Sequence, residues 1–276
     1  MPPCITNFGN GALVVVIAGL QMMVKDAMRN GLDADEMLAR VLYRDGLMLV
    51  IDKPAGLPVH RGPKGGLSLE DHFDALRFGL PRAPALAHRL DKDTSGCLVL
   101  GRHRKALAHL GLLFKHGKVG KTYWAVVEGS PETDQGTIDL PLGRLNDVRG
   151  WWMKPDPHGI TAVTRWHVMG RVPGLTWLAL EPLTGRTHQL RVHCAAMGWP
   201  IVGDTIYGKA PRVGGPILHL HAREVVVPIS KNREPVRVTA PVPAHMHAEL
   251  RACGWALDSA HAAPTASQAA ISSRPS

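Results

Sequence analysis

Between residues 41 and 256, short apolar runs alternate with charged or glycine-containing turns, and their period is that of strands more often than helices. Val41-Leu42-Tyr43 and Leu47 to Asp52 read as two strands joined across Arg44-Asp45-Gly46, where Asp-Gly supplies a tight turn. Further strands are expected at Cys97 to Gly101, Lys121 to Gly129, Thr161 to Met169, Leu175 to Leu183, His219 to Val227 and Val236 to Thr239. In the Lys121 run, Tyr123, Ala125 and Val127 fall on one side, while Trp166 and Trp177 read as large packing residues. Helical spacing is rarer. Leu69, Phe73 and Leu76 share a face within Ser68 to Phe78, with Ser68 as a possible N-cap and Gly79 as the stop. Leu107, Leu110 and Phe114 do the same within Arg104 to His116, ahead of Gly117. Leu190, His193, Cys194 and Met197 mark a helix after a turn at Thr184 to His188, which Thr184 or Thr187 can cap and Gly198 ends. Ala244 to Cys253 reads as a last short helix.

Both ends of the chain break this pattern. Gly11 to Val24 is uncharged and mostly apolar, but shorter than the run of about 20 apolar residues a membrane span needs, and no Lys or Arg precedes Lys25 as a secretory signal would require. Residues 1–40 are therefore expected to be a poorly ordered or loosely docked extension, 41–256 one folded domain, and 257–276, rich in Ala, Ser and Pro, a disordered tail.

Charge narrows the partner. Against 23 Asp and Glu stand 32 Lys and Arg, a formal net charge of +9 spread along the chain, which favours a polyanion such as nucleic acid over a membrane. Cys4, Cys97, Cys194 and Cys253 form no Cys-x-x-Cys pair, which argues against a disulfide framework or a thiolate zinc site and for a reducing cytoplasm. His219 and His221 share a strand face but lack a third ligand nearby, so no metal is expected. Gly62 to Gly66 lacks the spacing of a nucleotide-triphosphate loop.

Candidate chemistry concentrates in His88-Arg89-Leu90-Asp91-Lys92-Asp93-Thr94-Ser95-Gly96, which runs directly into an apolar strand. Asp91 lies between two cations, where an ionised carboxylate suits a nucleophile or a base, although a charged turn capping a strand would look the same. The start of the Gln189 helix, with Arg186 and Arg191 near it, is a place for an anion, either a phosphate or a carboxylate side chain. Pattern alone gives Tyr123 no role beyond packing.

Taken in order, these blocks resemble the RluA-type RNA pseudouridine synthases. His88-Arg89-Leu90-Asp91 with Thr94-Ser95-Gly96 is similar to that family's catalytic signature, and Lys121-x-Tyr123-x-Ala125-x-Val127-x-Gly129 to its tyrosine strand. Leu183 to His193 resembles its arginine helix, Gly203-Asp204-x-x-Tyr207-Gly208 and Leu220-His221-Ala222 its later blocks, and Lys53-Pro54-x-Gly56 its first. The resemblance implies an α+β catalytic domain on a mixed, mostly antiparallel central sheet flanked by helices and loops. It implies an isomerisation in which uridine in RNA is detached at its glycosidic bond, turned over and rejoined through carbon, without a cofactor. On this basis Asp91 is the essential carboxylate, Arg186 its salt-bridge partner, and Tyr123 the residue that stacks under the flipped base and serves proton transfer. Arg89, Leu190, His88, Thr94 and Lys53 would complete the substrate and RNA contacts. The first forty residues are too apolar for the small basic RNA-binding domain that many relatives carry ahead of the catalytic block. The chain thus resembles short, single-domain members acting on stem-loops of tRNA or large-subunit rRNA, and a monomer is expected. Two other readings exist: an RNA-binding module that has kept the cleft but lost the chemistry, and a glycoside hydrolase using Asp91 and Asp93, which sit too close together for that reaction.

Overall fold

A computed structural model describes residues 32–62, 65–146, 151–230 and 232–256. The apolar run at 11–24 and the tail at 257–276 lie outside the described residues. Strand β1 (Val41–Arg44) turns into β2 (Met48–Lys53) around Asp45, whose Oδ1 accepts the N–H groups of Leu47 and Met48, both at 2.7 Å. From β2, hydrogen bonding passes to β4 (Ser95–Gly101), then to β11 (Leu220–Val227), β5 (Gly120–Glu128), β10 (Leu175–Pro182), β9 (Val163–Val172) and β6 (Gln135–Asp139). Two short strands, β3 (Ala85–Leu86) and β12 (Val236–Thr239), pair with β4 and β11. A separate hairpin joins β7 (Leu142–Arg144) to β8 (Met153–Pro155). Among the described strands only β4 and β11 run parallel, so the sheet is mixed and mostly antiparallel, in an α+β fold.

The two-residue period decides where each side chain of the central strands goes. On β2, Leu49 and Ile51 enter one core with Leu98 and Leu100 of β4, while Met48 and Val50 enter another with Cys97 and Val99. Both faces are covered, which is why these strands read as unbroken apolar runs. Helix α2 (Arg104–Lys115) places Leu110 in the second core, and the 3-10 helix Leu69–Leu76 closes the first with Leu69, Phe73 and Leu76, the three residues the spacing singles out. Gly79 follows at φ +81°.

Part of the expected N-terminal extension is structured. Asp33 and Glu36 form a reciprocal capping box at 2.8 and 3.0 Å, starting helix α1 (Ala34–Ala39), and Met37 is fully buried beside Leu49 and Ile51. Within the extension expected to be poorly ordered or loosely docked, residues 32–40 are docked: one buried methionine and a cap hold a six-residue helix. Strands β3, β6, β7 and β8 are also absent from the sequence reading; each has five residues or fewer.

The parallel junction of β4 and β11 sits at the middle of the sheet and sets where the Asp91 loop emerges. Gly96 is at φ +103°, and a Cβ there would lie 2.3 Å from the Ala222 carbonyl oxygen, so the strands approach as closely as they do only because this position is glycine. Beside it the Ser95 hydroxyl and His221 Nδ1 share a 2.9 Å hydrogen bond. Upstream, His88 Nε2 accepts the Val99 N–H at 2.9 Å while its ring stacks on Phe114 at 4.3 Å. Burial pushes both histidines down to about 3, aided at His88 by the Lys121 charge, and His245 down to about 4.

These histidines make stability pH-dependent. From pH 6.5 down to about 3, the unfolded chain binds protons at His88 and His221 that the folded chain does not, so each removes up to about 1.4 kcal/mol per pH unit as pH falls. Asp52, raised by burial to about 6, opposes this as one group against three. Urea titrations from pH 7 to pH 4 are expected to show a net loss of stability, with a shallower slope in His221→Gln. An equal slope in that variant would refute the assignment.

Candidate active site

A cleft of about 710 Å³ opens between the Asp91 loop, the start of β5, the end of α2 and the turn leading into helix α3 (Gln189–Ala196). Asp91, Tyr123, Arg89, Arg186, His188 and Leu190 all line it. They come from segments up to a hundred residues apart, gathered because β4, β11 and β5 are adjacent in the sheet.

The loop that carries Asp91 is held from beneath. A tight turn forms as the Thr94 N–H donates to the Asp91 carbonyl at 3.2 Å. Under it, Lys53 at the end of β2 is fully buried, and its Nζ donates to the carbonyls of Pro54 at 2.7 Å, Lys92 at 2.9 Å and Thr94 at 2.9 Å. Three donors meet three acceptors. Burial pushes this ammonium down to about 7, against the opposing pull of Asp93, Asp91 and Asp52. Lys53 is thus a brace for the loop, correcting its expected role in contacting RNA. His88 and Thr94 border the cleft but are also scaffold: the ring nitrogen of His88 serves Val99, and Thr94 is 2% exposed with both backbone groups engaged in the turn.

Across the cleft, the expected Arg186 to Asp91 salt bridge is replaced by another arrangement. Arg186 Nε donates to the Thr161 carbonyl at 3.0 Å, and the side chain facing Asp91 Oδ2 is that of His188, with its Nε2 at 3.9 Å. The cause lies in how α3 begins. Neither Thr184 nor Thr187 caps it; His188 occupies the cap position at φ +53°, and the Gln189 side chain ties the turn together. Its Oε1 accepts the Thr184 hydroxyl at 2.7 Å and the Arg186 N–H at 3.0 Å, and its Nε2 donates to the Val163 carbonyl and Thr164 Oγ1, each at 3.0 Å. This geometry turns Arg186 toward the rim.

Of the two anions expected at this helix start, a phosphate or a carboxylate side chain, Arg191 takes the second. It is buried, and its Nε and Nη2 donate to Asp204 Oδ2 and Oδ1, both at 2.7 Å. Asp204 also accepts the N–H groups of Ile206 and Tyr207 at 2.9 and 3.0 Å. Burial pushes the Asp204 carboxyl up, but Arg191 and these N–H donors more than offset it and hold the carboxyl below its usual range. Attraction to Asp91 and Asp93 adds to that from Asp204 in stabilising the Arg191 charge, so this buried guanidinium is a cation to which Asp91 is coupled.

Tyr123 stands on β5 between the cleft and the core, and burial, reinforced by the Asp91 charge, raises its hydroxyl so that it stays protonated at neutral pH. Leu190 is 6% exposed and packs with Ala125, Leu178 and Leu180 beneath the cleft, while Arg89 is exposed on the rim. Sequence reasoning brings Asp91, Tyr123, Arg89, Arg186 and Leu190 to one place. It misses His188 and Tyr207 as site residues; the Asp204-x-x-Tyr207 spacing after Arg191 was the available signal. His219 and His221 serve Ile217 and Ser95 at 2.8 and 2.9 Å.

Comparison with known proteins bears on this geometry. A family model described as RNA pseudouridylate synthase matches residues 47–196. An uncharacterized RNA pseudouridine synthase of Zymomonas mobilis is 45% identical over 208 residues, covering 74% of this chain and 94% of that protein. Ribosomal large subunit pseudouridine synthase C of Haemophilus ducreyi is 36% identical over 230 residues, covering 79% of this chain and 71% of that protein. Among solved structures, human RNA pseudouridylate synthase domain containing 4 superimposes with a TM-score of 0.66 at 28% identity, covering 79% of this chain and 95% of that one.

The brace under the loop can be tested on its own. Lys53→Met fills the same space but takes a donor from three carbonyls, of which that of Lys92 keeps the Gly56 N–H at 2.9 Å, and is expected to lower the unfolding free energy by about 2–4 kcal/mol. Urea denaturation at neutral pH measures this; a midpoint equal to that of the wild type would show that the carbonyls need no donor.

Proposed function

The chain belongs to the RNA pseudouridylate synthase family, isomerases that act on RNA, and from that premise we propose that Asp91 is its essential carboxylate and structured ribosomal RNA its substrate. The observation that carries the reading is the convergence of Asp91, Tyr123 and Leu190 on one cleft within the matched residues. A target uridine leaves its helix and enters the cleft, with Tyr123 and Leu190 against the base and Arg89 and Arg186 at the rim beside phosphates. Asp91 acts at the ribose, as nucleophile toward C1′ or as the negative charge that stabilises it, while the bond from C1′ to N1 breaks. The uracil turns within the cleft, C5 bonds to C1′, the proton on C5 leaves and N1 gains one, so atoms balance without any outside group. The choice of large-subunit rRNA over tRNA is supported by the name of the Haemophilus ducreyi relative.

Two measurements test this. With RNA carrying 5-tritiated uridine, wild-type protein releases tritium, and Asp91→Asn is expected to lower the rate by about 10³-fold or more; comparable release by that variant would remove Asp91 from its role. Pseudouridine mapping of total RNA from a strain lacking the protein is expected to show a missing site in large-subunit rRNA. A site missing only from tRNA would overturn the choice of RNA.

A further inference from the structure

Tyr207 and His188 have no part in the reaction as described, yet they are hydrogen-bonded to each other and lead from Met153 to a ring nitrogen that faces Asp91. The Met153 N–H donates to the Tyr207 hydroxyl oxygen at 2.9 Å, that hydroxyl meets His188 Nδ1 at 2.8 Å, and His188 Nε2 stands 3.9 Å from Asp91 Oδ2. A phenol carries one proton. If His188 donated from Nδ1, the Tyr207 oxygen would accept twice, and the lone pair of Nε2 would face a carboxylate. If Tyr207 donates to Nδ1, its oxygen accepts only from Met153, and an N–H at Nε2 faces the carboxylate. Electrostatics selects the second arrangement.

Other groups fix each member of the chain. His188 is one of two non-glycine residues with positive φ among those described, a conformation that persists only where the surroundings impose it. Its ring is edge-on to Trp151 at 5.7 Å and to Tyr207 at 5.6 Å. Tyr207 lies under the Arg191 guanidinium at 5.4 Å, and Asp204 holds both Arg191 and the Tyr207 N–H. The charged groups acting on His188 are Asp91, Arg191, Asp204 and Arg89; burial outweighs them and keeps the imidazole neutral at pH 7.

We infer that Tyr207 locks His188 in the tautomer with its proton on Nε2, making His188 a positioning residue that aims the Asp91 carboxylate into the cleft. This rests on the reading of Asp91 as the essential carboxylate. The 3.9 Å gap is an electrostatic contact that shortens to a hydrogen bond when a nucleotide fills the cleft.

Nitrogen-15 NMR of the full chain labelled at histidine reads the tautomer directly, with the His188 signals assigned from their loss in His188→Gln. Wild-type protein is expected to show an unprotonated Nδ1 and a protonated Nε2, and Tyr207→Phe a mixture of tautomers. A protonated Nδ1 in the wild type, or an unchanged spectrum in Tyr207→Phe, overturns the inference. In single-turnover assays at saturating RNA, His188→Asn, whose amide reaches only the Nδ1 position, is expected to slow pseudouridine formation on the order of 10- to 100-fold. His188→Gln, whose amide reaches the Nε2 position, is expected to restore most of the rate, with RNA affinity equal in the two variants. Equal rates for Asn and Gln, or rates that track melting temperature, would reduce His188 to scaffold. The two failures are separable: an active Asp91→Asn overturns the proposed function, whereas an inactive Asp91→Asn beside a fully active His188→Asn overturns only the inference.

Discussion

The position of Asp91 depends on a buried ammonium. Lys53 Nζ is surrounded by the carbonyls of Pro54, Lys92 and Thr94, and two of these belong to the turn that holds the carboxylate up. Placing a lysine where no water reaches it is costly, and the cost is met only if all three of its protons find acceptors. The turn therefore has one conformation in which Lys53 is satisfied. The parallel junction at Gly96 works alongside it, since the strand leaving the turn has to pass within contact of the Ala222 carbonyl. Loop and sheet are fixed by the same few residues.

The basic residues of the site divide by depth. Lys53 and Arg191 are buried and direct their donors to protein acceptors, the loop carbonyls in one case and Asp204 in the other. Arg89 and Arg186 stand exposed at the cleft edge, where a charge is worth little to stability and is well placed to meet a phosphate. The buried cations build the cleft, and the exposed ones leave positive charge at its rim.

Which parts of this were legible in the sequence follows from what a one-dimensional pattern carries. The central strands were legible because both their faces are buried, so β2 and β4 appear as apolar runs bounded by turns. The residues around the cleft were legible as blocks, and Asp91, Tyr123 and Leu190 do meet. Depth was not legible: Lys53 beside Pro54 and Gly56 looks like an exposed loop cation, and only the fold encloses it. Why Arg186 does not reach Asp91 was hidden for a different reason. It precedes the start of α3, and its direction depends on the Gln189 side chain tying the turn to Thr164 and Val163, contacts 25 and 26 residues away in sequence. Helix α1 was missed because a single buried methionine gives no periodicity to detect.

Asp91 is thus constrained from two directions that share no residue. From below, Lys53 fixes the backbone of its loop; from across the cleft, Tyr207 and Asp204 fix His188, whose ring faces the carboxylate. Backbone anchoring alone would leave the side chain its rotamers, and a facing imidazole alone would leave the loop its drift. The reaction proposed for this cleft, in which the base departs, turns and returns to the same sugar, asks the carboxylate to keep its place while its substrate moves, since the returning carbon has to find C1′ where the nitrogen left it. Only the second constraint acts on the carboxylate itself. That is why a histidine in a strained backbone conformation, held by a tyrosine nineteen residues away, stands where an exposed arginine on a flexible side chain would have been the simpler counter-charge.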